Sequence, residues 1–257
     1  MENTTQITGR LTFLGTGTST GVPLIGCDCA VCRSADPRDI RQRCSALIET
    51  QGKRILIDCG PDFRAQALRH NIRHLDAVMI THNHFDHLYG LDDVRPLGNM
   101  PVYGDNVVLN TIHAFMPYCF GEHKYPGSAT IELHEVEALR PFTMAGIEIL
   151  PVPVTHGRFD ILGYRIGPLA YITDASHLSE QAFEALKGVK TLVLNALRIT
   201  PHPSHFSLEE SLEAAGRIAA DNTYLIHFSH DIGLQAVTEP TLPAGVHMAY
   251  DNLQIVW

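Results

Sequence analysis

Side chains of the kinds that bind metal ions are concentrated in one short segment. His82, His84, Asp86 and His87 lie within six residues, directly after the apolar run 77–80, which predicts a strand. Alternate side chains of an extended chain point the same way, so His82 and His84 can face one ion at the strand's end. Asp86 and His87 follow as the chain turns towards a predicted helix, and can face a second ion nearby. A solvated, histidine-rich loop or a single capped helix is the alternative.

Three thiols form a second candidate site. Cys27, Cys29 and Cys32 have the spacing C-x-C-x-x-C in a predicted loop. Three thiolates leave a tetrahedral zinc ion one ligand short, so a fourth donor is expected from elsewhere in the chain. The alternative is a redox pair or simply buried thiols. Three further cysteines lack this spacing and are predicted to be buried, unreactive thiols: Cys44, Cys59 and Cys119.

Two more histidines lie in the proline-containing segment 200–207. His202 and His205 precede a predicted helix and can present an imidazole to a leaving group. Phosphodiester cleavage needs such a group because the departing alkoxide must be neutralised. The alternative is a pair of helix-flanking histidines that only pack or cap.

The elements that must position these side chains mix strands, hairpins and helices. Gln51-Gly52 predicts a hairpin turn, and Ser207 with Glu210 has the spacing of a helix capping box. Three stretches have helical spacing: 62–70, 178–186 and 207–220. Strands are predicted at 10–14, 46–49, 54–58, 76–81, 130–133, 147–154, 164–166, 171–173, 191–194 and 223–227. This mixture predicts an α/β protein in which helices cover two stacked sheets.

Length and charge exclude several functions. A chain of 257 residues can bury a sizeable core, and one domain over 1–257 is expected. The 28 acidic residues outnumber the 19 basic ones, giving a formal charge of −9, so a broad electrostatic clamp on nucleic acid is disfavoured. The start, residues 1–6, lacks the features of a secretory signal, and no apolar run is long enough to span a bilayer. A cytoplasmic protein without a membrane partner is expected.

The sequence resembles the metallo-β-lactamase superfamily, whose signature H-x-H-x-D-H is met at residues 82–87. Further family elements follow in order, and each stands at a predicted strand end. Asp58 is similar to the family's first aspartate, His156 to the next histidine ligand, Asp174 to the bridging carboxylate and His227 to the last ligand. The resemblance extends over nearly the whole chain.

The resemblance implies an αβ/βα sandwich, in which two packed mixed β-sheets are flanked by helices, and a site for two metal ions. His82, His84 and His156 would bind one ion, Asp86, His87 and His227 the other, and Asp174 would lie between them. Asp58 would support the site. Two close divalent ions lower the pKa of a bridging water enough to supply hydroxide near neutral pH. The ligand types suit Zn or Mn.

The cysteine element narrows the resemblance to the PhnP-type phosphodiesterases. Their pattern implies a structural zinc held by Cys27, Cys29, Cys32 and a histidine three residues after the last catalytic ligand, which is His230 here. It also implies a histidine about twenty residues before that ligand as general acid or transition-state stabiliser. His205 lies 22 residues before His227, with His202 as second choice. A homodimer is suggested by the resemblance alone.

The implied function is hydrolysis of a small or cyclic phosphodiester by a hydroxide that bridges two metal ions, with Asp86 and His205 as catalytic residues. Three alternatives remain: a transfer-RNA 3′-end nuclease, a PqqB-like protein of quinone cofactor synthesis, and a non-catalytic metal-binding or sensing module. The nuclease is disfavoured because no long basic or Gly/Pro-rich arm is evident.

Overall fold

The computed structural model describes residues 8–257. Residues 1–6, on which the expectation about a secretory signal depended, lie outside the described residues. Within 8–257 there are fourteen strands: β1 Gly9–Gly15, β2 Ser45–Thr50, β3 Lys53–Ile57, β4 Ala77–Met79, β5 Asn99–Gly104, β6 Thr130–Glu135, β7 Phe142–Met144, β8 Ile147–His156, β9 Phe159–Ile166, β10 Leu169–Ile172, β11 Thr191–Asn195, β12 Asn222–Ile226, β13 Val246–Met248 and β14 Gln254–Val256.

Helices connect these strands. The α-helices in the described part of the chain are α1 Phe63–Arg69, α2 Phe85–Leu88, α3 Asn106–Phe115, α4 Glu180–Ala185, α5 Leu208–Ile218 and α6 Gln235–Thr238. Short 3-10 helices occur at Pro37–Asp39, Leu91–Leu97, Pro117–Cys119, Gly121–His123, His230–Ile232 and Glu239–Thr241. None of the helices in residues 8–257 combines the length and apolarity needed to cross a bilayer.

The strands form two seven-stranded mixed sheets with the same pairing pattern. One has the order β14-β1-β2-β3-β4-β5-β6 and the other, counted from the matching edge, β7-β8-β9-β10-β11-β12-β13. In each sheet three antiparallel pairings are followed by three parallel ones. β3 and β10 therefore occupy equivalent positions in the two sheets.

Alternating side chains place apolar residues on both faces of each sheet. In β3, Ile55 and Ile57 belong to the cluster between the sheets, whereas Leu56 packs with residues of α1 and α3 on the outside. In β10, Tyr171 points to the inner cluster and Ile172 to the outer cluster with α4 and α5. The four layers are thus helix, sheet, sheet and helix, which confirms the predicted fold class. The single-domain organisation stays a prediction.

Local signals predicted several elements correctly. The hairpin at residues 51–52 joins β2 to β3, and the Ser207 side chain accepts from the Glu210 amide while the Glu210 carboxylate accepts from the Ser207 amide. Such caps contribute about 1 kcal/mol to helix stability. The residue patterns did not predict β5, β7, β13, β14, the ten-residue helix α3 or the short helix α6.

Three strands end in residues with left-handed backbone conformation. Asp58 follows β3 with φ of 59°, Asp174 follows the β10 end with φ of 57°, and His227 follows β12 with φ of 61°. A positive φ is unfavourable for residues other than glycine, and such strain is concentrated at functional sites. The sharp turns direct all three side chains back towards the carboxyl ends of the strands, where the candidate site lies.

Candidate metal centre

The predicted ligands come together in one buried cluster at these strand ends. The donor atoms of His82, His84 and His156 lie within 4.8 Å of one another. A second triad with the same closeness consists of Asp86, His87 and His227. The structure therefore assembles both sets of three that the family resemblance implies, from segments far apart in the sequence.

Asp174 lies between the two triads. Its Oδ2 is 3.2 Å from His227 Nε2 and 3.9 Å from His82 Nε2, and its Oδ1 is 3.4 Å from His87 Nε2. Asp86 Oδ2 is 3.1 Å from His87 Nε2. Nitrogen and oxygen ligands of one tetrahedral zinc ion are about 3.3 Å apart, so these separations have the span of shared coordination.

Asp58 holds two of the histidines in a defined orientation. Its carboxylate accepts from His87 Nδ1 at 2.7 Å, from the Thr81 amide at 2.8 Å and from Thr81 Oγ1 at 3.0 Å. Because the Thr81 hydroxyl donates to Asp58, it accepts from His82 Nδ1 at 3.0 Å. The Nε2 atoms of His82 and His87 then face the cluster, as metal-binding histidines do when a carboxylate or carbonyl holds the other ring nitrogen.

His156 is oriented in the same way by the segment that carries His205. Its Nδ1 donates to the Ser204 carbonyl at 2.6 Å, which leaves Nε2 free for the cluster. Gly157 follows with φ of 60°, and a Cβ there would lie 3.0 Å from the Ser204 side chain. The β8–β9 turn and the segment 200–207 are therefore packed directly against each other.

The ionisation states of the cluster favour the binding of a cation. Burial alone raises the pKa of Asp86 and Asp174, but the charges of nearby imidazoles outweigh it and hold both pKa values below their ordinary range. Burial would lower the pKa of His87, yet the carboxylates of Asp86, Asp174 and Asp58 raise it well above its usual value. Burial and the neighbouring His87 lower the pKa of His82, so that imidazole is neutral and able to bind a cation.

His205 lies at the margin of the cluster, and His202 lies behind it. His205 Nδ1 is 3.7 Å from Asp174 Oδ2, and its ring centroid is 4.6 Å from that of His156. Burial lowers the pKa of His205 to about 3, and a neutral imidazole still has one N–H with which to donate. The His202 ring is 5.2 Å from that of His205, and its Nδ1 accepts from the Ser204 amide at 3.3 Å. Of the two candidates, His205 is therefore the one that lies next to Asp174 and His156.

The three spaced cysteines meet His230 in a separate cluster. His230 Nδ1 is 3.3 Å from Cys27 Sγ, 3.3 Å from Cys29 Sγ and 3.5 Å from Cys32 Sγ. Sulfur and nitrogen ligands of a tetrahedral zinc ion are about 3.5 Å apart, so the four atoms fit one ion. A backbone hydrogen bond from Cys32, with help from His230, lowers the pKa of the exposed Cys29 to about 6, which favours the thiolate that binds metal. The other three cysteines are buried, as expected.

The donor set as a whole fits divalent metal ions. His82 Nε2, His87 Nε2, His205 Nδ1 and His227 Nε2 are buried without a hydrogen-bond partner, although most buried polar atoms in proteins have one. These unpartnered nitrogens converge with two ionised carboxylates. Imidazole and carboxylate together suit Zn and related divalent ions.

Asn195, which the sequence did not mark as a site residue, holds the backbone next to Asp174 in place. Asn195 is fully buried at the end of β11, and its side-chain amide bonds both the Ala175 amide, at 2.6 Å, and the Ala175 carbonyl, at 2.9 Å. The Ala175 carbonyl also accepts from the Phe206 amide at 2.6 Å. Asn195 thus connects the residue after Asp174 to the segment that carries His205. No local spacing signals this role.

Two glycines, also missed, allow close approach around Asp86. A Cβ at Gly60 would lie 1.9 Å from the Asp86 carbonyl oxygen, and one at Gly90 would lie 1.9 Å from the Gly60 carbonyl oxygen. The Cys59 amide donates to the His87 carbonyl at 2.7 Å across this contact. The segments that carry Asp58 and His87 can approach this closely only because neither glycine has a side chain.

Comparison with known proteins gives a family model and close relatives. The model of the beta-lactamase superfamily domain matches residues 53–228. A solved structure described as a new diphosphatase from the PhnP family is 42% identical, with a TM-score of 0.91 and coverage of 97% of both chains.

Two curated proteins are similar over part of their length. The octanoyltransferase of Porphyromonas gingivalis is 44% identical over 252 residues, which are 96% of this chain and 51% of that protein. A ribonuclease Z of Bradyrhizobium diazoefficiens is 29% identical over 163 residues, 60% of this chain and 48% of that protein. The chain therefore spans about half the length of these curated relatives.

Proposed function

Because the chain belongs to the metallo-β-lactamase superfamily of hydrolases and is close to the PhnP family, we propose that it is a metal-dependent hydrolase of small phosphodiester bonds. The observation that carries the proposal is the position of Asp174 between two donor triads, whose members are buried except for the half-buried His84. A diphosphate linkage, which the related diphosphatase is named for, belongs to the same class of target when both ends are substituted. In both cases oxygen is displaced from a phosphorus atom that carries two substituents.

We assign two divalent ions, Zn or Mn, to the buried centre. One would be held by His82, His84 and His156, the other by Asp86, His87 and His227, with Asp174 shared. When bound, such a pair supplies a water of lowered pKa and takes up negative charge on the phosphoryl oxygens. A structural zinc is assigned to Cys27, Cys29, Cys32 and His230.

The chain's own groups orient and stabilise the reacting atoms. Asp58 fixes the ring of His87 directly and that of His82 through Thr81, which keeps both Nε2 atoms aimed at the centre. His205 is 12% exposed at the margin of the cluster, so a substrate phosphate can reach it. Its N–H donates a hydrogen bond to the oxygen that leaves, which stabilises the negative charge that develops there.

Octanoyl transfer is not part of this proposal. Transfer of an acyl group through an enzyme-bound intermediate needs an activated nucleophile, and a thiol is active as its thiolate. Cys44 and Cys59 are fully buried, and burial raises their pKa values well above the ordinary value. Cys29, the exposed thiol whose pKa is lowered, belongs to the cluster with Cys27, Cys32 and His230 that is assigned to the structural zinc. Since the chain covers only half of that relative, its name alone does not assign the reaction to these residues.

The test is a substrate screen with protein whose metal content has been measured. Bis(p-nitrophenyl) phosphate, a cyclic ribose phosphate, a disubstituted diphosphate and a transfer-RNA precursor are offered to zinc- and manganese-loaded protein. Cleavage of the small esters, lost in Asp86→Ala and retained in Asp221→Ala, supports the proposal. Asp221 is a matched control because it precedes β12, at the end opposite to His227.

Each alternative has its own outcome in this screen. Cleavage of the transfer-RNA precursor alone favours the nuclease. Oxygen-dependent chemistry without hydrolysis favours the PqqB-like alternative. One bound ion and no cleavage of any ester contradicts the hydrolase and favours a metal-binding module.

A further inference from the structure

A groove leads away from the histidines along the β8–β9 hairpin. Its inner part is a cavity of about 290 Å³ lined by His82, His84 and Phe159 among others. An outer cavity of about 300 Å³ shares Asp105 and Asp160 with it, so the two cavities lie side by side and form the two parts of the groove. Each part is near the lower end of the range of about 300–1,000 Å³ that is usual for ligand sites.

The inner end of the groove is part of the candidate metal centre. His82 is only 3% exposed, its Nε2 is buried without a partner, and the residue lines the inner cavity. A group in the groove would therefore be continuous with a phosphate bound at the centre. This makes the groove a place for a substituent of the phosphate.

The groove carries more negative than positive charge. Asp105, Asp160, Glu135 and Glu137 line its two parts, whereas Arg158 is the one Arg or Lys among the described lining residues. Glu135 and Glu137 line the outer cavity alone, whereas Asp105 and Asp160 line both cavities.

The charged side chains of the groove differ in how many hydrogen bonds or ion pairs they already make with other residues. Asp105 caps α3 through the Val108 amide at 2.8 Å, and Glu137 is 3.3 Å from Arg140. Asp160 lies exposed where the two cavities meet. The Arg158 guanidinium carbon stands 5.3 Å from the centre of the Phe159 ring and is partly engaged there.

One wall of the inner cavity is apolar. Phe159 is 48% exposed and meets His84 edge to face, with ring centroids 6.0 Å apart. A half-exposed phenylalanine beside a polar centre offers a surface for a ring or an alkyl group. The groove therefore combines an apolar contact beside the histidines with carboxylate acceptors along both of its cavities.

We propose that this groove binds the alcohol substituent of the phosphodiester and selects a substituent that is neutral or positively charged over one that carries a second phosphate. The inference rests on the proposed hydrolase function and names its substrate class. The carboxylates accept hydrogen bonds from hydroxyl or ammonium groups, and they repel a further anion.

A matched pair of substrates tests the charge preference. Thymidine 5′-(p-nitrophenyl phosphate) is compared with the same ester carrying a 3′-phosphate, and total ester cleavage is followed by chromatography. We expect kcat/KM to be about tenfold lower for the 3′-phosphate ester. The p-nitrophenyl ester of phosphocholine, whose substituent is cationic, should be cleaved at least as well as the plain thymidine ester.

Variants show whether the groove causes the preference. In the double variant that combines Asp105→Asn with Asp160→Asn, the kcat/KM values of the two thymidine esters should lie within about threefold of each other. Asparagine keeps the cap of α3 but not the charge. Asp221→Asn, far from the groove, should leave the ratio unchanged. A ratio near one in the unmodified protein, or a ratio that the double variant does not alter, overturns the inference. If neither ester nor any other phosphodiester is cleaved, it is the proposed function that fails.

Discussion

Asp58 and Asp174 occupy equivalent positions in the two sheets, and their surroundings differ. Each follows the fourth strand from the antiparallel edge of its sheet, each has a φ near 58°, and each is buried. Asp58 accepts hydrogen bonds from Thr81 and His87. Asp174 accepts one from Thr173 and otherwise faces imidazole nitrogens at 3.2–3.9 Å.

This difference separates a supporting carboxylate from a binding one. The bonds to Asp58 occupy both of its oxygens, so it can orient histidines but has no room for another partner. Asp174 faces nitrogens that are themselves without a hydrogen-bond partner, and a cation between them would satisfy both sides. A left-handed residue after the equivalent strand of each sheet thus serves two different roles, because different residues surround it.

Removing the charge of Asp174 should have the largest effect. In Asp174→Asn we expect turnover to fall about 10³-fold or more, with loss of at least one ion, because the amide cannot replace a carboxylate shared by two cations. Turnover and metal content by plasma mass spectrometry are measured together. Wild-type metal content in this variant would contradict the distinction between the two aspartates.

Substitution of His205 tests the side of Asp174 that faces this histidine, because Asp58 has no such neighbour. In His205→Ala we expect turnover to fall about 10²-fold or more with metal content unchanged, because a donor to the leaving oxygen is lost. The exposed His74→Ala is the matched control. Nearly normal turnover would remove the role, and loss of an ion would make His205 a ligand instead.

Asp58→Asn should weaken the site without emptying it at high metal concentration. We expect zinc affinity of the buried centre to fall about 10–100-fold, because His87 loses the partner that orients its ring. Competition with a chelator of known affinity measures this, and excess zinc should restore most of the turnover. A loss of metal as severe as that in Asp174→Asn would contradict the distinction between Asp58 as a supporting carboxylate and Asp174 as a binding one.

Substitution of Asn195 tests whether its hydrogen bonds to Ala175 hold the neighbouring Asp174 in place. In Asn195→Ala we expect about a tenfold loss of zinc affinity at the buried centre, because both hydrogen bonds to Ala175 are lost. The control is Gln235→Ala, another buried amide, whose bonds to Arg41 and Met248 lie in a different network. Both variants should lose about 2–3 kcal/mol of unfolding free energy. Equal zinc affinity in the two would reduce Asn195 to a structural residue.

The local part of the site was predictable from the sequence. His82, His84, Asp86 and His87 lie close together in the chain, so a strand and a turn suffice to bring them to one place. His156, Asp174 and His227 could be proposed only from their order in a family pattern. Their proximity depends on the packing of two sheets.

Other residues support the site in ways that their residue type does not indicate. Asn195 acts on the backbone of Ala175, the Ser204 carbonyl acts on His156, and Gly60 acts through a missing side chain. These roles arise between distant segments, so spacing along the chain cannot reveal them. Helix α3 was missed although Asp105 caps it, because valines and threonine within it weaken the helical signal.

The central claim is that Asp174 lies between two metal ions, and anomalous X-ray diffraction at the zinc edge tests it most directly. Crystals of the zinc-loaded protein should show two peaks on opposite sides of the Asp174 carboxylate, one beside each donor triad. A third peak is expected among the three spaced cysteines and His230. A single peak at the buried centre, or an Asp174 carboxylate turned away from it, would contradict the account.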